Sequence, residues 1–215
     1  MLLLKEQEIR KGPDVTVDIP EEPKTDGSLG PAAQLRSEIE RLKLKLIEAE
    51  WKIAELEARA DVDPLLEILN RRGFERELTR SLAYVKRYAT AAVLVFIDLD
   101  GFKAVNDRHG HAAGDALLKA VAVRLASNVR ASDVVARFGG DEFAVLLWNA
   151  DEAQAAIKAR DLERVIEQIN VAHGPALLSV GASAGIVPLS GQTTPDAVMD
   201  AADKAMYARK KERMA

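Results

Sequence analysis

Four carboxylates stand out in the sequence because they form two pairs beside apolar runs. Asp98 and Asp100 end one run, and Asp141 and Glu142 follow the glycine pair 139–140. Side chains alternate along a strand, so Asp98 and Asp100 should share one face, and glycine lets a bulky ligand approach the backbone. If the two strands are neighbours, the carboxylates repel one another unless a divalent cation lies between them. The pattern therefore predicts a cation site, although a solvated strand end is the alternative for either pair alone.

A polar segment with nucleotide-binding chemistry lies between these pairs. Lys103 carries a point charge suited to a phosphate. Asn106 and Asp115 have the donors and acceptors that a purine edge needs, although such residues also serve as helix caps. His109 and His111 are two residues apart in a glycine-containing stretch, and this spacing does not define a metal site.

The elements that position these groups follow from the hydrophobic periodicity. The pattern predicts, in order, strand 92–98, helix 113–129, strands 133–138 and 142–147, helix 153–169, strand-like segment 177–188 and helix 196–211. The inward residues expected on the last helix are Val198, Ala201, Ala202, Ala205 and Met206. Hairpin-paired strands mixed with helices indicate an α+β domain rather than a doubly wound parallel sheet.

The N-terminal region has a different character. Residues 1–31 hold four of the 8 prolines and no apolar period, which predicts a flexible tail. Residues 32–61 carry a heptad seam, with Ile39, Leu46, Ile53 and Ala60 at one core position and Leu35, Leu42, Ala49 and Leu56 at the other. This seam predicts a parallel two-stranded coiled coil, and one amphipathic helix packed on its own domain is the alternative. Residues 62–215 would then form the catalytic domain.

Composition restricts the class of protein. The 215 residues include 30 Lys+Arg and 34 Asp+Glu, and this near balance gives no reason to expect nucleic-acid binding. Cysteine is absent, which excludes disulfides and zinc–cysteine sites and favours a reducing compartment. The longest apolar run, 91–97, is far shorter than the ~20 residues of a membrane span. We therefore expect a cytoplasmic protein without a membrane segment.

Six sequence blocks resemble the GGDEF family of diguanylate cyclases. The blocks are Asn70-Arg71-Arg72, Asp98-Leu99-Asp100-Gly101-Phe102-Lys103 with Asn106-Asp107, Gly110-His111 with Gly114-Asp115, Arg137-Phe138-Gly139-Gly140-Asp141-Glu142-Phe143, Ser183-Ala184-Gly185 and Ala202-Asp203-Lys204-Ala205-Met206-Tyr207. Their order and spacing extend the resemblance from about residue 61 to the C-terminus.

The resemblance implies a nucleotidyl-cyclase or polymerase-palm sheet flanked by helices. It implies that two facing domains, each holding one GTP, form cyclic di-GMP and release two pyrophosphates. Asp98 and Asp141, with the backbone carbonyl of Leu99, would hold two Mg²⁺ or Mn²⁺ ions. Asp141 would also accept the 3′-hydroxyl proton, with Glu142 in support and Lys103 steadying the phosphates.

The resemblance also implies a substrate-binding set. Asn106 and Asp115 would bind the guanine, and Lys210 would reach the phosphates from the last helix. The remaining expected substrate contacts are Phe102, His111, Gly139 and Gly140.

A second ligand site is implied by Arg130 and Asp133. Five residues separate Asp133 from the glycine pair, and at this offset the family binds cyclic di-GMP as an inhibitory product. Taken alone, the two residues would be read as an ion pair closing the preceding helix.

Three positions depart from the family pattern. Leu65-Leu66-Glu67-Ile68 stands where Leu-Thr-Gly-Leu is usual, and Gly101 stands where Phe is frequent. Met214 takes the position of a final-helix arginine, which leaves open whether Arg213 substitutes for it. None of these changes removes an expected metal ligand.

The sequence and its family resemblance together predict a homodimeric diguanylate cyclase with product inhibition. A non-catalytic receptor for cyclic di-GMP and a purely structural dimerisation module are the alternatives. Degenerate family members usually damage the GGDEF turn, and here the turn is intact.

Overall fold

The computed structural model describes residues 30–214, apart from the side chains of residues 53–59 and Met214. The described residues divide into two compact units, with the boundary between Glu50 and Trp51. All but the end of the expected tail, residues 1–31, lies outside the described residues. Within the described part, no helix is both long and apolar enough to cross a membrane.

Helix α1 runs from Pro31 to Ala60 and contains the heptad seam. Four described seam side chains are each about half exposed or more in the single chain: Leu35, Ile39, Leu42 and Leu46. Leu44 has a similar exposure outside the seam. An exposed apolar stripe on a helix is typical of a surface that meets a partner.

The second unit is an antiparallel sheet with helices on both faces. Its elements are α2 (Arg71–Tyr88), β1 (Ala92–Asp100), α3 (Phe102–His109), α4 (His111–Ser127), β2 (Val134–Gly139), β3 (Glu142–Trp148), α5 (Glu152–Glu167), β4 (Val171–His173), β5 (Ala176–Leu178), β6 (Gly181–Pro188) and α6 (Pro195–Met214). The main sheet has the strand order β2-β3-β1-β6, and β4 pairs with β5 in a separate hairpin. This architecture confirms the α+β prediction.

The central strand β1 is buried on both faces, which explains its continuous apolar sequence. Val95 and Ile97 pack in a core that includes residues of α4 and α5. Leu94 and Phe96 pack in a second core with residues of α2 and α6. The sheet thus brings the end of β1, and Asp98 with it, to a place that helices on both sides support.

The structure corrects several expected elements. Segment 177–188 is two strands, because the chain leaves the hairpin with β4 after Leu178 and enters the main sheet at Gly181. Helices α2 and α3 and strand β4 were not anticipated. Ala201 is exposed rather than inward, because α6 buries Val198, Ala202 and Met206 at a spacing of four.

Candidate active site

The paired carboxylates meet at one edge of the sheet. Asp98 on β1 lies directly opposite Glu142 on β3 in the antiparallel register. The backbone N–H of Leu99 donates to the carbonyl of Asp141 at 3.1 Å and ties the turn to β1. All three carboxylates are half-buried. The predicted convergence of the two acidic motifs is therefore present in the fold.

Arg137 holds the turn between β2 and β3. Its Nε and one terminal nitrogen donate to the carbonyl of Gly140 at 3.2 and 2.8 Å, and its other terminal nitrogen pairs with Asp63 at 3.1 Å. A Cβ on Gly139 would lie 2.7 Å from Oε2 of Glu142, so glycine leaves room for that carboxylate. The turn that carries Asp141 is thus fixed by contacts on both sides.

The local electrostatics favour a bound cation. Burial, followed by the negative charge of Asp98, raises the pKa of Asp141 above its ordinary value, against the opposing effect of Lys210 and Arg137. Burial and the neighbouring carboxylates, Asp141 first, likewise raise the pKa of Glu142. Carboxylates that repel one another in this way are stabilised in the ionised form by positive charge placed between them.

Lys210 on α6 supplies such a charge. Its ammonium donates to Oδ1 of Asp98 and lies 3.6 Å from Oδ1 of Asp100. Burial acts to lower the pKa of Lys210, but the hydrogen bond and charge of Asp98, with the charge of Asp100, outweigh it and leave the pKa raised. Ser183 donates to Oδ2 of Asp100 at 2.8 Å. Lys210 was expected at the phosphates, and here it contacts the carboxylate expected to bind metal.

The expected guanine contacts lie on the neighbouring helix pair α3 and α4. Asn106 packs against α4 so closely that a Cβ on Gly114 would fall 2.0 Å from its Oδ1. Asp115 follows Gly114 directly and is exposed, and Phe102 is buried beneath the pair of helices. The carboxamide of Asn106 is thus brought beside the turn of α4 that carries Asp115.

Two further expected contacts, Lys103 and His111, have exposed side chains at the starts of α3 and α4. Among residues 30–214, neither forms a hydrogen bond or ion pair with the carboxylates at the end of β1. The fold places both on the helix pair that carries Asn106, one at the first turn of each helix.

Arg130 and Asp133 form a compact turn between α4 and β2. The carboxylate of Asp133 accepts the backbone N–H of Arg130 at 2.9 Å and that of Trp148 at 3.1 Å. It bonds these backbone groups rather than the Arg130 guanidinium, so the simple helix-closing ion pair is wrong for the described chain. Both residues line a cavity of about 600 Å³ whose wall includes Trp148 and Lys158.

Arg213 contacts three carboxylates. It pairs with Glu167, lies 3.6 Å from Glu163 and lies 3.7 Å from Asp100. Sequence reasoning missed Glu163 because a single Glu on a predicted helix carries no distinguishing pattern. It also missed the contact of Arg137 with Asp63, since the two residues are 74 positions apart.

Comparison with known protein families identifies the family of the domain that carries this site. The family described as "Diguanylate cyclase, GGDEF domain" matches residues 60–215, which is most of the chain. The chain belongs to the GGDEF family. The match covers both acidic motifs, the α3–α4 pair and the last helix.

Two diguanylate cyclases with similar sequences support this family membership. The chain is 42% identical over 167 residues to the probable diguanylate cyclase DgcE of Escherichia coli, covering 76% of this chain and 15% of that protein. It is 39% identical over 166 residues to the diguanylate cyclase TpbB of Pseudomonas aeruginosa, covering 74% of this chain and 37% of that protein.

Among structures, the GGDEF domain of DgcB from Caulobacter crescentus, solved in complex with c-di-GMP, superposes with a TM-score of 0.67 at 27% identity. It covers 71% of this chain and 91% of that one. The GGDEF fold is therefore shared, while the chain spans well under half the length of both curated relatives.

Proposed function

We propose that this protein is a diguanylate cyclase that condenses two GTP molecules to cyclic di-GMP and two pyrophosphates. The observation that carries the proposal is the convergence of Asp98, Asp141 and Glu142 at one sheet edge, beside the cationic Lys210. Family membership and diguanylate cyclase relatives support the same activity. A cytoplasmic location, where GTP is plentiful, is part of the proposal.

The carboxylates fit a divalent cation. Within residues 30–214, no three His, Asp or Glu side chains are arranged to hold a metal by themselves. Mg²⁺ at nucleotide sites takes one or two carboxylates and completes its shell with phosphate oxygens and water. Asp98 already holds a cation, the ammonium of Lys210. Asp98, Asp141 and the carbonyl of Leu99 would hold two Mg²⁺ or Mn²⁺ ions, which stabilise charge on the entering and leaving oxygens when bound.

The chain's own residues would move the proton and hold the substrate. Asp141 would accept the 3′-hydroxyl proton as the general base. Glu142 adds negative charge beside it. Lys103 and Lys210 would contact phosphates, and the Lys210 ammonium has N–H donors for a phosphate besides the one that it gives to Asp98.

The remaining substrate contacts would come from the helix pair and the turn. Asn106 and Asp115 would bind the guanine edge above Phe102. The other proposed contacts are His111, Gly139 and Gly140. Glycine at these two turn positions leaves the backbone open to a bulky nucleotide.

A homodimer is part of the mechanism, because each domain would hold one GTP and neither alone can close the ring. The exposed seam of α1 supplies the pairing surface of a coiled coil. On this proposal, residues 32–61 are the stalk and residues 62–215 are the catalytic domain.

Lysine placed in the seam should make activity depend on protein concentration. We expect Leu42→Lys with Leu46→Lys to lower the specific activity at micromolar protein and to recover part of it at high concentration, since buried charges oppose pairing. Leu44→Lys is the matched control, since Leu44 is equally exposed but lies outside the seam. Specific activity that stays constant across protein concentrations in the double variant would contradict pairing through α1.

Product inhibition would act at Arg130 and Asp133. The carboxylate of Asp133 holds the turn, while the Arg130 guanidinium is exposed beside the cavity that Trp148 and Lys158 also line. An arginine fork binds phosphate or a guanine edge with two parallel hydrogen bonds. The c-di-GMP complex of the DgcB GGDEF domain supports a product-binding role for this fold.

Arg130→Ala should relieve this inhibition. We expect c-di-GMP to bind more weakly by calorimetry, with inhibition shifted by about 5- to 150-fold, the usual range of allosteric coupling. Initial rates without product should stay near wild type, because the active-site carboxylates are untouched. Arg160→Ala, an exposed arginine on α5, serves as the control. Product binding at wild-type strength in Arg130→Ala would reject the inhibitory site.

The proposal is tested against its alternatives by incubating the purified chain with GTP and Mg²⁺ and separating the nucleotides by ion-exchange chromatography. A cyclase yields a peak of c-di-GMP. A receptor leaves GTP intact but binds added c-di-GMP, and a structural module does neither.

A further inference from the structure

Glu163 on α5 is a buried charge for which the proposed reaction has no use. Its side chain is 5% exposed. The Nε and one terminal nitrogen of Arg209 donate to its two oxygens at 3.1 and 2.9 Å, and the backbone N–H of Ala184 donates at 2.9 Å. A buried carboxylate is costly unless its oxygens are hydrogen-bonded in this way. Glu163 therefore joins three elements: α5, β6 and α6.

Arg213 adds a second link to the same carboxylate. One of its nitrogens lies 3.6 Å from Oε2 of Glu163. Arg209 and Arg213 are four residues apart on α6, so they occupy one face of the helix. Lys210 lies between them in sequence. The two arginines thus fasten to Glu163 the turn of α6 that carries Lys210.

The helix is also fixed one turn earlier. A Cβ on Gly185 of β6 would fall 2.2 Å from the backbone nitrogen of Met206, so strand and helix backbones are in direct contact there. Beyond Met206, the ion pairs of Glu163 with Arg209 and Arg213 help to hold the end of α6 to α5, together with the ion pair of Arg213 with Glu167. The position of Lys210 relative to Asp98 depends on this last turn.

We propose that Glu163 is a positioning residue of the active site: by holding Arg209 and Arg213, it places the Lys210 ammonium at the carboxylate end of β1. The inference rests on the proposed role of Lys210 toward GTP phosphates. Among the described residues, Glu163 contacts Arg209, Arg213 and the backbone N–H of Ala184, none of which is a proposed metal ligand or substrate contact. Its influence reaches the reaction through α6, so its loss should weaken GTP binding more than it slows turnover.

Two variants test the contact from both sides. In Glu163→Gln and in Arg209→Gln we expect KM for GTP to rise about tenfold while kcat changes less than about twofold, because a displaced Lys210 ammonium would lose part of a binding contact with the phosphates. Arg209→Gln leaves the buried carboxylate of Glu163 near Arg213. This variant therefore tests the positioning role even if Glu163→Gln fails to fold. Lys204→Gln is the control, since it breaks an exposed ion pair on the same helix.

A double-mutant cycle with Lys210→Ala separates positioning from general stability. If Glu163 acts through Lys210, adding Glu163→Gln or Arg209→Gln to Lys210→Ala should leave KM for GTP at the value of Lys210→Ala alone. An additive rise in KM, or an unchanged KM in the single variants, would overturn the proposal.

Amide hydrogen exchange tests the positioning role of Glu163 without relying on cyclase activity. Amides of residues 207–213 should exchange faster in Glu163→Gln and Arg209→Gln than in Lys204→Gln or wild type. If the wild-type chain makes no c-di-GMP, the proposed function fails while this exchange still reports whether Glu163 holds the turn. Unchanged exchange in both variants would overturn the positioning role independently of activity.

Discussion

Replacing Asp141 by asparagine is expected to lower c-di-GMP synthesis by about 10²- to 10⁴-fold, the range for loss of a general base, and by more if ion binding is lost as well. The change keeps the shape of the side chain but removes its charge and its capacity to accept a proton. Initial rates at saturating GTP and Mg²⁺ measure the effect.

The fold should survive this substitution. Asp141 sits half-buried at a turn that Arg137 holds through the carbonyl of Gly140, and the side chain of Asp141 takes no part in that contact. Circular dichroism should therefore match wild type, and the midpoint of thermal unfolding should be at or above that of wild type, because the change removes one of the repelling charges. Asp200→Asn is the matched control, an exposed carboxylate on α6 paired with Lys204 at 2.7 Å. A fully active and normally folded Asp141→Asn would reject the assignment of the site.

The second large effect concerns the discrimination between guanine and adenine nucleotides. Asn106 and Asp115 should give kcat/KM for GTP up to about 10⁴-fold above that for ATP, because a site built for hydrogen bonds rejects an analogue that lacks them. Guanine offers a carbonyl oxygen and amide and amino N–H groups on one edge, which match a carboxamide and a carboxylate. Adenine presents an amino group where guanine has the carbonyl.

Competition between the two nucleotides measures this discrimination. Asn106→Ala and Asp115→Ala should each lower kcat/KM for GTP and leave the small activity toward ATP nearly unchanged. Asp107→Asn, an exposed neighbour on α3, is the control. Comparable turnover of ATP by the wild-type chain would reject the guanine-binding role of both residues.

Local sequence patterns predicted the elements whose burial has a clear period. The apolar run of β1 and the glycine pair between β2 and β3 each determine their structure over a few neighbouring residues. The pattern failed where one apolar segment serves two sheets, as between Leu178 and Gly181, because periodicity does not show a change of pairing partner. Helix α3 was missed because its eight residues bury little more than Phe102.

The candidate site likewise has a part that the sequence predicted and a part that it did not. The two acidic motifs were visible because each is contiguous in sequence. The contacts that support them join residues far apart in the chain, such as Arg137 with Asp63 and Arg209 with Glu163. Charge type alone does not identify such partners among 30 basic and 34 acidic residues. The sheet register and the packing of α6 determine them.

If this chain joins two GTP molecules in a ring, the ratio of its two products is fixed, and that ratio is the decisive measurement. Pyrophosphate and c-di-GMP should be measured in the same reaction with purified protein, GTP and Mg²⁺. Cyclisation predicts two pyrophosphates for each c-di-GMP, and both products should be greatly reduced in Asp141→Asn. A reaction that consumes no GTP, or that releases pyrophosphate without forming c-di-GMP, would contradict the claim.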